Sequence, residues 1–196
     1  MEDTDRSLIE AHLEGDRAAF AELIRRHGDS LLAYLTRLCG NREHAEDLFQ
    51  ETFRRVHEKA HTLRGNRFKG WLYTIATRVA LDGFRKRTRL RAISIDQSPD
   101  CKGENCQAYS TVAMAEICPD PSDAAVREEQ KEQVRRALDS LPAQQRATLV
   151  LAYYQQLSYR EVAEAMGCSM GAVRQHMFRA LRALARILPD VSRAAE

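Results

Sequence analysis

SYREVAEAMGCSMGAVRQHMFRALRALAR, residues 158–186, decides the reading of this chain. Ser158 precedes Glu161 by three positions. That spacing is a capping box, in which each side chain satisfies a backbone N–H of the other residue. The helix it opens, 159–166, stops at Gly167, and Ser169 caps a second helix over 170–188. Two helices on a tight glycine turn make a helix-turn-helix pattern. In the second helix Val173, Met177, Ala180, Leu181 and Leu184 follow 3–4 spacing and are predicted to face a core. Arg174, Phe178, Arg182 and Arg186 recur on another side, with Gln175 and Arg179 beside them. No acidic residue occurs between Glu164 and Asp190. A helix with an unbroken positive face suits a major groove flanked by phosphates.

Working upstream, Leu141-Pro142 starts another helix, with proline in the tolerated first-turn position. Helical periodicity fades before about Val126. Residues 93–125 hold three of the five prolines (Pro99, Pro119, Pro121) and three of the five cysteines. They read as a linker, with at most a short helical turn near Val112–Ile117. Upstream of Ala92 the chain reads as helix almost throughout, and no period-2 strand pattern stands out. Asp16 is an N-cap for a helix carrying Phe20, Leu23 and Ile24. Gly28-Asp29-Ser30 is expected to break it before a helix through Leu31, Leu32, Leu35 and Leu38. Gly40-Asn41 ends that helix, a third runs 43–60, and a fourth runs 68–89 after Gly65-Asn66. The expected fold is all-α: two small helical domains, 1–92 and 126–196, joined by a flexible linker, 93–125.

A length of 196 residues, 44% of them hydrophobic, suits two such domains and excludes a wholly disordered chain. The longest apolar run, about Leu149–Tyr154, is far short of the roughly 20 residues a membrane helix needs. The acidic start lacks the apolar stretch of a secretory signal, so no membrane insertion and a cytoplasmic location are expected. The net charge of +2 conceals an uneven distribution. Residues 1–92 carry net +4, residues 93–125 net −5 and residues 126–196 net +3. An acidic tether separates two mildly basic blocks.

Two helices of the first block carry informative faces. In the third, Ala45, Leu48, Phe49, Phe53, Val56 and Ala60 form the buried side. Asp47, Gln50, Glu51 and Arg54 form a polar stripe at i, i+3, i+4 and i+7, either simply solvated or a docking surface. The fourth is expected to bury Phe68, Trp71, Leu72, Ile75, Ala76, Val79, Ala80 and Phe84. It is expected to expose Lys69, Tyr73, Thr74, Thr77, Arg78 and Asp82. It then enters a run containing Arg85, Lys86, Arg87, Arg89 and Arg91. Five basic residues in seven exceed what complementing a helix dipole requires, and phosphate contact is the preferred reading.

These residues together carry a resemblance. Asp47-Leu-Phe-Gln-Glu51 with Phe53, then Trp71-Leu-Tyr73 with Ile75-Ala76, then Asp82 and the basic run, resemble region two of bacterial sigma factors. Leu141-Pro142 with Arg146, Leu157-Ser-Tyr159 with Glu161-Val-Ala163, Gly167-Cys-Ser169 with Gly171-Ala-Val-Arg174, and Phe178-Arg179-Ala180 resemble region four. Both blocks in order, with one linker and no third domain, resemble the extracytoplasmic-function (group IV) sigma factors. The likeness covers about 155 of the 196 residues.

The resemblance implies a transcription initiation factor that binds core RNA polymerase and brings it to promoter DNA. Asp47, Gln50, Glu51 and Arg54 would dock on the polymerase, chiefly on its β′ subunit, with the β subunit also a partner. Lys69, Tyr73, Thr74, Thr77, Arg78, Arg85, Lys86, Arg87, Arg89 and Arg91 would open the −10 element and hold its freed strand. Opening requires unstacking a base into a pocket and holding single-stranded DNA on positive charge. Ser169, Arg174, Gln175, His176, Arg179, Arg182 and Arg186 would engage the −35 element. Of these, Arg174, Gln175, His176 and Arg179 are base-edge candidates, and Arg182 and Arg186 phosphate partners. An anti-sigma factor covering both blocks is a further partner that the resemblance admits. Arg78 stands where the family usually has Asn in the −10 base pocket. The recognition helix reads Ala172-Val-Arg-Gln-His176 where the family often has Thr-Val-Arg-Ser-Arg. Both departures alter the expected base preferences. The linker, about 33 residues, could span on the order of 100 Å when extended, more than the roughly 70 Å of two DNA turns.

Two competing readings arise from the same sequence. His57-Glu58-Lys59-Ala60-His61 spells the H-E-x-x-H string of zinc peptidases, with His57 and His61 as ligands and Glu58 as base. The hydrophilic stripe and the missing strand argue against it, so neither a catalytic site, a metal nor a cofactor is expected. The other is a conventional helix-turn-helix regulator acting without polymerase. Cys101, Cys106 and Cys118 match no common zinc spacing. Without a signal peptide a disulfide framework is not expected. Cys39 and Cys168 are read as packing residues.

Overall fold

The structure is a computed structural model that describes residues 4–94 and 121–188. The chain from 95 to 120, with Cys101, Cys106, Cys118 and the turn suggested near Val112–Ile117, lies outside the described residues. Among the described residues every regular element is helical: α1 (Asp5–Leu13), α2 (Arg17–Cys39), α3 (Arg42–Lys59), α4 (Phe68–Ser94), α5 (Pro121–Asp139), α6 (Ala143–Leu149), α7 (Tyr159–Met166) and α8 (Met170–Ile187). A 3₁₀ turn, Ala60–Thr62, follows α3, and a π-helical turn, Val150–Tyr154, continues α6. The all-α expectation is met. α4 reaches Ser94 and α5 begins at Pro121, so both enter the segment read as linker.

Local chemistry explains the helix ends. The Asp16 carboxylate accepts from the N–H groups of Ala18 and Ala19, and Asn41 accepts from His44 N–H. Both satisfy donors that the first helical turn leaves unpaired. The Ser158–Glu161 capping box is present in full, and Ser169 accepts from Ala172 N–H. Gly40 and Gly167 close α2 and α7 at φ 69° and 63°, where a side chain would be strained.

One expected break does not occur. α2 runs unbroken through Gly28, Asp29 and Ser30. Glycine costs a helix interior about 1 kcal/mol relative to alanine. Here Gly28 is buried, and a β-carbon there would lie 3.6 Å from the Phe49 ring of α3. Close packing of α2 on α3 outweighs the local preference.

α1 packs along the first half of α2 and reaches the end of α3. Leu8 and Ile9 are buried, and His27 of α2 meets the Asp5 carboxylate at 2.8 Å. The Arg6 guanidinium donates to the carbonyls of Leu63 and Gly65, tying α1 to the turn before α4. His12 stacks on Phe20, and its Nε2 lies 2.9 Å from Nδ1 of His57. Burial, and secondly repulsion from His57, lower the His12 pKa from 6.5.

The two blocks share one core. A continuous set of buried side chains runs from Leu23, Leu31 and Leu35 of α2, through Leu72 and Ala76 of α4, to Val150, Leu151, Val162 and Ala165 of the second block. α4 is central, packing on α2 and α3 with one side and on α7 with another. A smaller cluster of Leu138, Leu141, Leu149, Met177 and Ala180 holds α5, α6 and α8 together. Leu181 was expected in that core but is 52% exposed, on the same side as Phe178. It sits 100° around the helix from the buried Ala180, which carries it past the edge of the packed face.

Polar contacts close the seam. The Arg146 guanidinium donates to Leu38 O at the end of α2, to Asp139 O and Leu141 O, and to Asp139 Oδ1 at 2.9 Å. A β-carbon on Gly40 would meet Asp139 Oδ1 at 2.9 Å, so the end of α5 sits directly on the end of α2. Arg37 lies 4.5 Å over the Tyr154 ring. Burial raises the Asp139 carboxyl and lowers the Arg146 guanidinium, because desolvation outweighs their mutual attraction.

Two predictions follow from these contacts. Arg146→Ala should cost about 2–4 kcal/mol in urea denaturation, because it abandons several buried acceptors at once. Arg146→Lys should recover only part of that loss, since an ammonium lacks the planar fork. A histidine with a depressed native pKa is held neutral by the fold. Its contribution is present above pH 6.5 and is lost as pH falls toward the native pKa. Between pH 7.5 and 5.5 the Tm of wild type should therefore fall more than that of His12→Asn.

Candidate functional site

The α3 stripe is displayed as the sequence suggests. Asp47, Gln50 and Arg54 are exposed and Glu51 is half-buried. The opposite side of α3 buries Ala45, Leu48, Phe53 and Val56, with Phe49 only partly covered. Arg54 donates to both oxygens of Glu51 at 2.8 Å and also pairs with Glu58. Arg55 reaches Glu51 at 2.7 Å. Hydrogen bonds from Arg54, and then from Arg55, hold the Glu51 carboxyl down at about 2. Exposed pairs of this kind are each worth under about 1 kcal/mol in stability. Their effect is to fix charged side chains in one geometry along the helix.

The H-E-x-x-H string does not form a zinc helix. α3 ends at Lys59, and His61 falls in the following 3₁₀ turn. His57 is engaged by His12, and Glu58 by Arg54.

α4 presents a narrower polar face than expected. Lys69, Arg78, Asp82, Arg85 and Lys86 are exposed, and Thr74 is half-buried. Tyr73 and Thr77 are not surface residues; both are fully buried. Thr77 Oγ1 lies 2.8 Å from the hydroxyl of Tyr34, and the Tyr73 ring stands edge-on to Tyr34 at 5.2 Å. The Tyr73 hydroxyl donates to Ser30 at 3.4 Å. Their polar atoms suggested exposure in a one-dimensional reading. Tyr34 and Ser30, both on α2, supply the partners that let Thr77 and Tyr73 be buried. Trp71 is half-buried against Phe68. The backbone of α4 continues through Arg87, Arg89 and Arg91, whose side chains lie outside the described residues.

The turn before α4 adds residues that the sequence reading passed over. Arg64, Asn66 and Arg67 are exposed around Gly65, whose φ is 70°. They stand beside Lys69 at the start of α4. The Gly65-Asn66 pair, read only as a helix breaker, was the available signal.

On α8, Arg174, Gln175, Arg179, Arg182 and Arg186 are all exposed. The hydroxyl of Ser169 accepts from Ala172 N–H as the helix cap. His176 differs from its neighbours: it is half-buried, with Nδ1 shut away from solvent and unpartnered.

Two basic helices, one following a helix-turn-helix corner, and an acidic-basic stripe on a third helix make a consistent set. The sigma-70 region 2 family model matches residues 23–90, and the sigma-70 region 4 model matches residues 131–184. An ECF RNA polymerase sigma-E factor of Salmonella typhimurium is 32% identical over 182 residues, covering 92% of each chain. The chain belongs to the ECF sigma factors of the sigma-70 family. As such it is a transcription initiation factor that directs RNA polymerase, and the reading as a free-standing helix-turn-helix regulator is not favoured. ECF SigW of Bacillus subtilis is 29% identical and is covered end to end. ECF SigE of Mycolicibacterium smegmatis is 34% identical over 168 residues, though the match spans only 61% of that protein. Among solved structures, the Bartonella quintana sigma factor RpoE, in complex with the anti-sigma factor NepR, matches with TM-score 0.64 at 23% identity. The alignment covers 87% of this chain and 97% of that one. CnrH, in complex with the cytosolic domain of CnrY, also matches at 0.64 and 23%, over 95% and 98%. Both show the fold. Among the described residues no helix is long and apolar enough to cross a membrane.

The burial of Tyr73 is testable. Tyr73→Ala should cost about 3–5 kcal/mol in denaturant unfolding of the free chain, as an emptied aromatic core site does. An unchanged midpoint would return Tyr73 to the surface.

Proposed function

We propose that each exposed face of this sigma factor has one role in initiation. Asp47, Gln50, Glu51 and Arg54 on α3 dock on core RNA polymerase. The ion pairs that pre-set Arg54 and Glu51 support this, because pre-set side chains lose less entropy on binding. Lys69, Thr74, Arg78, Arg85 and Lys86, with the basic run to Arg91, hold the opened −10 strand. Arg64, Asn66 and Arg67 join them. Tyr73 and Thr77 shape α4 from beneath rather than touching DNA. Arg174, Gln175 and Arg179 read the −35 element, with Arg182 and Arg186 on phosphates and Ser169 at the helix start. The domains behind these roles are 1–92 and 126–196, joined through 93–125. The work is binding rather than catalysis, in the cytoplasm. An anti-sigma factor is a natural regulator, as the name of the Bartonella quintana complex states for that protein.

The observation that carries this reading is the uninterrupted basic face of α8, set on a complete capping-box corner. The deciding experiment is a gel shift on promoter DNA with and without core polymerase, followed by run-off transcription. Binding and transcripts should appear only with core present. A shift without core would favour an independent regulator. Glu51→Ala and Arg54→Ala should each weaken core binding by about 5- to 50-fold, corresponding to roughly 1–2 kcal/mol at a charged interface. Normal core affinity in both would remove the docking assignment.

A further inference from the structure

Promoter elements two helical turns apart are separated by roughly 70 Å, so α4 and α8 cannot serve both while their blocks share one core. The manner in which α7 covers α4 is specific. Lys69, at the start of α4, donates from Nζ to the backbone carbonyl of Gln155 at 2.9 Å, so an exposed cation is tied by the second block. Next to it lies Glu161. One of its carboxylate oxygens, Oε2, accepts from the N–H and the hydroxyl of Ser158 at 2.9 and 2.7 Å. The other, Oε1, approaches the α4 backbone, 3.7 Å from the position of a β-carbon on Gly70. Arg67 and Lys69 flank Phe68 at this helix start and act on the carboxylate only through longer-range charge. After the Ser158 bonds, their charges help to hold its pKa below the usual range. The first turn of α4 adds the positive end of a 27-residue helix.

An anion therefore sits against Gly70 at the start of α4, on the face assigned to promoter DNA. We propose that Glu161 occupies the place of a promoter phosphate at the start of α4, latching the free chain closed over the surface that DNA uses in the open one. The capping box thus has two functions. Its hydrogen bonds build α7, and its remaining oxygen competes with nucleic acid for α4. Strand binding at α4 and separation of the blocks then become one coupled step, because the DNA backbone replaces Glu161 on the same surface. The latch rests on the reading of α4 as the −10 helix.

Glu161→Gln isolates the charge. Glutamine serves equally in a capping box, so α7 keeps its cap while the anion is lost. The full-length chain is compared with wild type, alone and with core polymerase, using a fluorescent promoter fragment and a donor–acceptor pair placed at Lys59 and Ile187. Alone, Glu161→Gln should bind the fragment about 2- to 5-fold more tightly, the range expected for losing one exposed competing charge. It should also lose energy transfer at lower salt than wild type does. With core bound, the two proteins should have equal promoter affinity. Unchanged affinity of the free variant overturns the proposal, as does tighter binding with unaltered energy transfer. Equal tightening with core present also overturns it, because the gain would then lie in the open state. Failure of wild-type holoenzyme to bind the promoter would instead strike the reading of α4. Energy transfer in the free variant would still report on the latch.

Discussion

Burial of α4 from two sides is the constraint on which the molecule depends. Phe68, Leu72, Ala76 and Ala80 are almost wholly removed from water. No single layer of neighbours could cover so broad a face on a helix that also has to present Lys69 and Arg78. α2 and α3 cover part of it, and α7 covers another part. A fully buried aliphatic side chain is worth about 1.5–3 kcal/mol, so the seam between the blocks draws on the same resource as the interior of each. The ordering of the stripes follows. With its apolar side fixed against α4, α3 turns Asp47, Gln50 and Arg54 outward. α8, held at the far end through Met177 and Ala180, turns its arginines outward.

The legible features were local ones. Asp16, Ser158 with Glu161, Gly167 and Ser169 act within four residues of themselves, so their caps and corners can be read from spacing. The α3 stripe is legible for the same reason: its pattern and its buried complement lie on one helix. The basic face of α8 needs no partner to be recognised.

What escaped the sequence depends on partners far along the chain. Gly28 looked like a break because the Phe49 ring that receives it is on another helix. Tyr73 and Thr77 looked polar because Tyr34, which satisfies Thr77 and abuts Tyr73, belongs to α2. Leu181 fitted a 3–4 pattern, yet the cluster it would join is met by Met177 and Ala180, with Ala183 and Leu184 against it, and Leu181 points to one side. The seam was wholly invisible. Lys69 finds its carbonyl 86 residues away, and Arg146 reaches Leu38 across 108. Charge counts had shown two basic blocks held apart by an acidic tether. They could not show that an acidic side chain from one block lies against the start of α4 in the other.

The end of α2 carries a consequence for how this sequence can drift. Gly40 needs a positive φ, and the Asp139 carboxylate fills the space where any side chain would project. Relaxing the turn with asparagine would satisfy the backbone but collide with Asp139. Shortening Asp139 would make room but strip Arg146 of its carboxylate. Positions 40, 139 and 146 can therefore change only together. A lineage that lost this seam should show all three altered, and a comparison of related chains would read the presence of the closed form from three columns.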